Sequence, residues 1–369
     1  MAFVVSKIPV ISFTNNAPDF IISEENQSVF VSISLAGSPI VSDMELTPDS
    51  SGKITVDVRQ IVRNIQPLSR PESVLESLPS ITITSRKTGE ALALSGYLIP
   101  GGVYLGSGFD IDNFLASNFL TWQPQIIRTS PDTPQWLAFI RPSDTFLSFS
   151  IWSNLYTSDG RVFTKQIQST PNVRVYCQVD TSYKALWMDH CTRNDITPIA
   201  YDVYGKLSRQ SSDGTSTQEY SNRPFAQRYV LRSSHINELC FGFSNTLGGF
   251  DTIIMRGNTV LEPEGEVQSF VNRNSEVEIF NEYTSHWEAS SGYIDSERLA
   301  SQYQDFLKSS NRYLFYKERW LRIVVDEFDL KHTKGELNAY TFKYHFSERN
   351  EDRFYQRTEL PDVELPFIQ

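Results

Sequence analysis

The chain contains very little cysteine. Its 369 residues include only three cysteines, Cys177, Cys191 and Cys240, and none of them forms a C-x-x-C motif. A small, odd number of cysteines without that spacing excludes a disulfide framework and a cysteine-based zinc site as the basis of the fold. We therefore expect the chain to fold in a reducing cytosol.

Long apolar runs are also absent from the sequence. No run reaches the roughly 18–20 apolar residues of a membrane-spanning helix. The N-terminal stretch has no basic segment, and Lys7 and Pro9 interrupt its apolar residues, so it does not have the pattern of a signal peptide. The sequence therefore predicts neither secretion nor insertion into a membrane.

The chain has fewer basic residues than acidic residues. Lys and Arg total 33 against 44 Asp and Glu, which gives a formal net charge of −11 at pH 7 and a sequence pI of about 5.1. An acidic surface repels phosphate, so nucleic acid is not an expected partner. The charge is spread along the chain, as is typical of a solvated surface.

Most of the sequence has the pattern of short strands separated by turn signals. Val29–Leu35, for example, alternates apolar and polar residues as a half-buried strand does. Evenly spaced strands of this kind favour a mainly β chain of two to three stacked antiparallel sandwich or barrel domains with a few short helices. The predicted ranges are an N-terminal β-sandwich with one short helix (1–105), a central antiparallel β domain (106–261), a C-terminal β domain with one amphipathic helix (262–348) and an extended C-terminal arm (349–369).

Helical spacing of apolar residues occurs at two places. The first is Val58, Ile61, Val62 and Ile65, preceded by Asp57 in the position of an N-cap. The second is Leu299, Tyr303, Phe306 and Leu307, which form one stripe of a longer helix. After this helix the segment 340–346 alternates over its full length, which predicts a strand with its aromatic residues on one face.

The clearest local signal is a hairpin within residues 238–257. Two apolar runs, Leu239–Phe243 and Phe250–Met255, flank a polar segment that contains Gly248 and Gly249. Glycine accepts a positive φ without steric cost, so the backbone can reverse there. We expect a tight connection over 245–249 that is available to a neighbouring subunit. We also expect the central β domain to be anchored by Phe241, Phe243, Phe250 and Ile253.

Nothing in the sequence has the spacing of an active site. The five histidines show no helical metal-ligand spacing, and phosphate-binding and nucleophile-elbow motifs are absent. Asp189-His190-Cys191 contains residue types of a cysteine nucleophile and its base, but adjacent residues rarely face each other. We interpret these three residues as a loop in which Cys191 packs as a small apolar side chain.

Acidic residues and tryptophans allow other interpretations. Asp110-x-Asp112 begins like a calcium loop, but Thr121 stands where the loop needs a glutamate, so a capped turn is preferred. The alternating glutamates at 262–266 and 276–278 are interpreted as surface positions rather than as a glycosidase pair. The six tryptophans can form either core packing or a sugar-stacking platform. Catalytic, cofactor-binding and metal-binding residues are therefore all predicted to be none, and no cofactor is expected.

Several short motifs together resemble phage or prophage structural proteins of Bacteroidetes. These motifs are Asp57-x-x-x-Ile61-Val62, the segment Thr121–Gln125, Trp136-Leu137, the segment Phe243–Asp251 and the strand Tyr340–Ser347. The resemblance implies a virion component at the tail tip or baseplate, where β-rich distal-tail and hub proteins form rings. It supplies no functional residues.

The function expected from this resemblance is that of a non-enzymatic tail or baseplate subunit. Such a protein assembles in the host cytoplasm into a ring or higher oligomer, with copies of itself and other virion proteins as partners. Sheet edges and exchanged arms provide the contacts in such assemblies. The alternative is a carbohydrate-binding or adhesion module on a phage fibre or bacterial surface, with a cell-surface glycan as the partner.

Overall fold

The structure is a computed structural model of the 369-residue chain. It describes residues 4–347 with the exception of 7, 24–25, 88–89, 105–108, 116–117, 141–147, 171–173, 211–216, 235–237, 273–274, 295–296, 330, 332, 334–335 and 337. The predicted C-terminal arm, 349–369, lies outside the described residues, so its extended form stays a prediction.

The predicted mainly β fold is confirmed, with 55% strand and 13% helix. The described strands are, in chain order, β1 (Val4–Val5), β2 (Ile11–Phe13), β3 (Phe20–Ser23), β4 (Val29–Leu35), β5 (Ser38–Leu46), β6 (Ile54–Val56), β7 (Val74–Ser77), β8 (Ser80–Lys87), β9 (Glu90–Ile99), β10 (Ile126–Thr129), β11 (Trp136–Ile140), β12 (Ser148–Thr157), β13 (Val162–Thr170), β14 (Val175–Asp180), β15 (Pro198–Gln210), β16 (Thr217–Leu231), β17 (Leu239–Ser244), β18 (Phe250–Met255), β19 (Thr259–Asn272), β20 (Ser275–Ile294), β21 (Arg312–Tyr316), β22 (Arg319–Asp329) and β23 (Asn338–Phe346). The α-helices are α1 (Val58–Val62), α2 (Ile111–Leu115), α3 (Asp189–Asn194) and α4 (Glu297–Lys308). A short 3-10 helix covers Thr14–Asn16, and one π-helical turn covers Lys184–Met188.

The chain divides into two compact units. The described residues within Met1–Thr129, Gln135–Leu231 and Ser244–Asp251 form unit 1. Those within Ser130–Pro134, Arg232–Phe243 and Thr252–Gln369 form unit 2. The three predicted β ranges divide the chain differently, and they stay a prediction.

The first part of unit 1 packs two sheets and a helix around one core. The sheets have the strand orders β2-β9-β8-β4-β5 and β1-β3-β6. On β4 the side chains of Val29, Val31 and Ile33 are buried, as the alternation predicts, and they pack with Val58 and Val62 of α1. The predicted N-cap is confirmed, because the Asp57 carboxylate accepts the backbone N–H of Gln60 at 3.2 Å.

The rest of unit 1 contains two more sheets, with the orders β10-β16-β15-β12-β13 and β11-β14-β7. Their core is aromatic, and Tyr201 and Tyr229 stack in it with ring centroids 4.8 Å apart. The pairs β2–β9 and β10–β16 are parallel, whereas the other pairings described in unit 1 are antiparallel. Alternation does not encode strand direction, so these parallel pairs had no sequence signal.

Unit 2 is built on the sheet β18-β17-β21-β22-β23-β20-β19. Helix α4 contributes Tyr303 and Phe306 to its core, which confirms the predicted helical stripe. On β23 the side chains of Tyr340, Phe342 and Tyr344 are buried in the same core, as the alternation predicts. Ser244 at the end of β17 and Phe250–Asp251 at the start of β18 belong to unit 1.

Candidate functional sites

The turn between β17 and β18 has a structural role. Asn245 organises it, because its Oδ1 accepts the N–H groups of Leu247 at 3.0 Å and Gly249 at 2.9 Å, while its Nδ2 donates to the Leu120 carbonyl at 2.9 Å. Asn245 is 4% exposed and Leu247 is 0% exposed. Four of the five turn residues are buried within unit 1 and Thr246 is half-buried, so the turn has a structural role, and its contact with a neighbouring subunit stays a prediction.

Asp251, directly after the turn, also has a structural role. Its carboxylate is fully buried and accepts hydrogen bonds from the Thr121 hydroxyl at 2.6 Å and the Trp122 backbone N–H at 3.2 Å. The predicted anchors Phe241, Phe243, Phe250 and Ile253 are all buried. Phe241, Phe243 and Ile253 pack in the core of unit 2 rather than in a central domain, because their strands join the C-terminal sheet.

The segment Asp189-His190-Cys191 is helical. The three residues lie at consecutive positions of α3, and Cys191 is packed in the aromatic core of unit 1. The His190 ring meets the rings of Phe163 and Trp187 edge-on, at centroid distances of 4.8 and 5.9 Å. The prediction that Cys191 packs as an apolar side chain is confirmed, although the segment is a helix rather than a loop.

Asp110 lies directly before α2 and caps this helix, whereas Asp112 is in its first turn. The Asp110 Oδ1 accepts the backbone N–H groups of Asp112 at 3.0 Å and Asn113 at 3.2 Å, and its Oδ2 accepts the side-chain amide of Asn113 at 2.6 Å. These bonds satisfy donors of the first helical turn. The preferred interpretation as a capped turn is confirmed.

One open depression in unit 1 is formed by described residues. Its lining residues are Pro9, Ile11, Ser12, Phe13, Asn16, Pro18, Val103, Tyr104, Phe109 and Ile111. The Asn16 side chain is already engaged with the backbone of Val103, at 2.8 Å and 2.7 Å. The lining contains the hydroxyl groups of Ser12 and Tyr104, but no carboxylate, histidine, lysine or cysteine that could activate them as a neighbouring base.

The tryptophans do not form one common platform. Trp136, Trp187 and Trp287 are buried, whereas Trp122 is 40% exposed and its Nε1 donates to the Thr246 hydroxyl at 2.8 Å. The Trp152 ring faces the Lys206 ammonium at 4.0 Å. Most of the aromatic bulk therefore fills cores, as the core-packing interpretation predicts.

A long two-stranded ribbon is the first candidate functional feature. Strands β19 and β20 pair along their whole common length, from Thr259↔Ala289 to Asn272↔Ser275. β20 pairs with β23 only from Trp287 onward. Among the described strands, residues 262–272 of β19 and 275–286 of β20 therefore pair only with each other. We name this part, 262–286, the ribbon.

The ribbon is long and acidic. Eleven residues of β19 extend over roughly 35 Å, since a strand rises about 3.3 Å per residue. Residues 262–286 include six glutamates and one arginine. The glutamates that raised the glycosidase question lie on these two paired strands, at Glu262, Glu264, Glu266, Glu276 and Glu278. A two-stranded ribbon has two open backbone edges, each of which can accept another strand.

A cluster of two histidines and one aspartate is the second candidate. The Nδ1 atoms of His286 and His345 each lie 2.9 Å from Oδ2 of Asp326. The two imidazole rings are 5.6 Å apart between centroids and are nearly perpendicular. Side-chain exposure is 19% for His286, 26% for Asp326 and 21% for His345, so the cluster is accessible from solvent.

Three neighbouring strands of unit 2 bring this cluster together. His286 on β20 and His345 on β23 adjoin the paired residues Trp287 and Tyr344, which face the core. The histidines therefore lie on the opposite, solvent-facing side. On β22 the register shifts between Val325 and Glu327, which makes Asp326 the extra residue of a β-bulge. A bulge bends the strand and redirects a side chain, and here Asp326 contacts both histidines.

Sequence reasoning missed this cluster for a physical reason. The histidines show no helical ligand spacing, because the three residues of the cluster are 19 to 59 positions apart on separate strands. The alternation of β23 does place His345 opposite the buried aromatic face. Strand register and the bulge that directs Asp326 are set by tertiary pairing, so they leave no signal in the local pattern.

The comparisons with known proteins do not add a functional assignment. No protein-family model matches the chain, and no curated protein matches it in sequence. The resemblance to phage structural proteins therefore stays a prediction from short motifs. Among the described residues, no helix combines the length and the apolar character needed to cross a bilayer.

Proposed function

We propose that the protein is a non-enzymatic structural subunit of a bacteriophage tail or baseplate. In this proposal it forms a ring or higher oligomer with copies of itself, contacts other virion proteins, and is assembled in the host cytoplasm. The single observation that supports assembly is the ribbon 262–286, whose strands pair only with each other among the described strands. The short motifs of the sequence support the phage setting.

A two-stranded ribbon has little stability of its own. An isolated pair of strands is at best marginally stable in water, and three or more strands or a packed face are needed for independent stability. An open edge gains backbone hydrogen bonds when a strand of another subunit adds to it. The ribbon is therefore suited to be completed by a neighbouring subunit.

Its charge indicates the chemistry of the partner surface. Six glutamates against one arginine make the ribbon strongly acidic. Complementary potentials steer association and select the partner, so we expect a basic surface on the neighbouring subunit. Exposed charge pairs are screened by salt, so the assembly should weaken as ionic strength rises.

A shortened ribbon tests the proposal. Replacing residues 266–282 with Asn-Gly joins the registered pair Gly265 and Tyr283 through a two-residue hairpin turn. We expect light scattering and native mass spectrometry to show a closed oligomer for the full chain and a monomer for the shortened chain. The circular dichroism spectrum of the shortened chain should still show the β-strand content expected for its remaining residues.

A matched control shortens another connection. Replacing residues 211–216 with Asn-Gly joins the registered pair Gln210 and Thr217 of β15 and β16, which lie outside the ribbon. This variant should assemble like the wild type. A full chain that is monomeric both in solution and in purified particles would refute the proposal. Portal, tail-tube or tape-measure genes beside its gene would support the phage setting, whereas metabolic genes would contradict it.

The full chain and the chain with the shortened ribbon also test the carbohydrate-binding alternative. It requires exposed aromatic rings that share one plane, whereas Trp136, Trp187 and Trp287 are buried in cores. A glycan array probed with the full chain decides between the two functions. Binding that is lost in Trp122→Ala and retained in the shortened ribbon would favour adhesion over assembly.

A further inference from the structure

We propose that His286, Asp326 and His345 form a binding site for one divalent transition-metal ion of the Zn²⁺ class. The ligands are the two imidazole nitrogens that face the aspartate, together with the Asp326 carboxylate. Metal binding by these residues does not depend on what the ribbon contacts, since all three ligands come from one sheet of unit 2.

The spacing of the potential ligand atoms supports this assignment. One ligand atom from each residue lies within 4.8 Å of those of the other two, and both Nδ1 atoms lie 2.9 Å from Asp326 Oδ2. With metal–ligand bonds of about 2.0–2.2 Å, ligand atoms around a tetrahedral ion are roughly 3.3–3.6 Å apart. Small rotations of the side chains are therefore sufficient to place an ion among them.

The donor set selects the class of metal. Two imidazole nitrogens and one carboxylate are the ligands that Zn²⁺, Co²⁺, Ni²⁺ and Fe²⁺ accept, whereas Mg²⁺ and Ca²⁺ require oxygen ligands. Three protein ligands leave at least one coordination position for water. The side-chain exposures of 19%, 26% and 21% allow solvent to reach that position.

The framework under the site holds its ligands in place. Trp287 and Tyr344, adjacent to the two histidines, are buried, and Tyr344 packs edge-on against Phe346 with centroids 6.2 Å apart. The bulge at Asp326 fixes the third ligand on a strand that pairs with β23 on both sides of it. His286 is the last residue of the ribbon, and the adjacent Trp287 pairs with Tyr344 of β23, so this end of the ribbon is anchored in the sheet and all three ligands are positioned by paired strands.

The carboxylate next to the site provides a matched control. Glu327 follows Asp326 directly, but its carboxylate lies 4.0 Å from the Lys343 ammonium. The three cysteines are buried, so in the folded protein they do not compete for a soft metal.

The experiment uses the untagged full-length chain after treatment with a chelator and dialysis. Zn²⁺ is titrated by calorimetry, the bound metal is counted by elemental mass spectrometry, and Co²⁺ is used as a spectroscopic probe of the ligand field. We expect one ion per chain. His286→Gln, His345→Gln and Asp326→Asn should each lower the affinity by at least about 100-fold, since changes outside the ligand set already cost about 10–100-fold.

Glu327→Gln should bind Zn²⁺ like the wild type. Circular dichroism and melting temperature establish that each variant is folded before its affinity is compared. Absence of a stoichiometric site in the wild type, or equal binding by the ligand variants, would overturn the inference. An equal loss in Glu327→Gln would also overturn it, by assigning the effect to surface charge. The chain shortened at 266–282 keeps all three ligands, so metal binding without assembly would separate this site from the proposed function.

Discussion

Two consecutive hairpins of the chain differ in the contacts that hold them in place. In the turn between β17 and β18, the Asn245 side chain bonds two backbone N–H groups and one backbone carbonyl. In the ribbon between β19 and β20, residues 262–272 and 275–286 pair only with each other among the described strands. The first hairpin is specified by tertiary contacts on several sides, and the second by one ladder of hydrogen bonds.

Similar local sequence signals can therefore belong to hairpins that differ in their tertiary contacts. Both hairpins combine strand-favouring residues with a polar connection. Packing, rather than propensity, decides which element is a fixed part of its unit, because a two-stranded ladder alone is marginally stable. A segment of low local stability is the kind from which binding elements are drawn. The first hairpin therefore has a structural role, and recognition of a partner is the role proposed for the second.

The largest loss of stability is expected when a methyl group is added at Gly249, in the turn between β17 and β18. A Cβ at Gly249 would lie 1.9 Å from the Leu120 carbonyl oxygen, which is a backbone atom that cannot swing aside. We expect Gly249→Ala to cost more than about 4 kcal/mol in the free energy of unfolding, or to prevent folding, because the clash requires the backbone to move. Denaturant titration of the purified variant measures this cost.

Gly160→Ala is the control for that substitution. Gly160 has φ of +81°, and a Cβ there would meet nothing within 4 Å. Its cost is limited to the left-handed backbone, about 1–2 kcal/mol. Similar losses in the two variants would show that the turn tolerates displacement and is not defined by its contacts.

The next largest effect is expected at Asp251. Removing its carboxylate leaves the Thr121 hydroxyl and the Trp122 backbone N–H without this acceptor. An unsatisfied donor costs about 1–3 kcal/mol when it is buried, and both of these donors are partly buried, so we expect Asp251→Ala to lose about 3 kcal/mol of stability in total. Asp110→Ala, at an exposed helix cap, should lose about 1 kcal/mol in the same denaturant titration. A smaller loss at Asp251 than at Asp110 would contradict this ranking.

Much of the fold was predictable from periodicity. Alternation identified β4 and β23, and helical spacing identified α1 and α4 together with the Asp57 cap. Which strands are neighbours was not predictable. Phe241 and Phe243 were assigned to a central domain, but β17 pairs with β21, about 70 residues later, so they pack in unit 2.

The candidate sites were less predictable than the fold. The ribbon strands are recognisable as strands, but the sequence does not show that they lack a third neighbour. The histidine–aspartate cluster depends on the register of Trp287 with Tyr344 and on the bulge at Asp326. Both properties arise from long-range pairing, whereas local patterns encode only which face a residue occupies.

Hydrogen exchange should sharpen the comparison between the hairpins. In the dissociated chain we expect the N–H groups of Leu247 and Gly249, bonded to Asn245 Oδ1, to exchange at least about 100-fold more slowly than ribbon amides in 265–272 and 276–283. That factor corresponds to about 2.7 kcal/mol of local stability. In the assembled oligomer the ribbon should become protected. Equal protection of both hairpins in the dissociated chain would indicate that the ribbon needs no partner.

The smallest effect on stability is expected at Val271, whose side chain on the ribbon is 71% exposed. Since little apolar area is buried there, Val271→Thr should change the free energy of unfolding by less than about 0.5 kcal/mol. Val31→Thr, at a fully buried position, should cost about 2 kcal/mol, because it buries a hydroxyl. If the ribbon docks on a neighbouring subunit, Val271→Thr should still weaken assembly severalfold in sedimentation experiments. Unchanged stability together with unchanged assembly would place Val271 outside the contact between subunits.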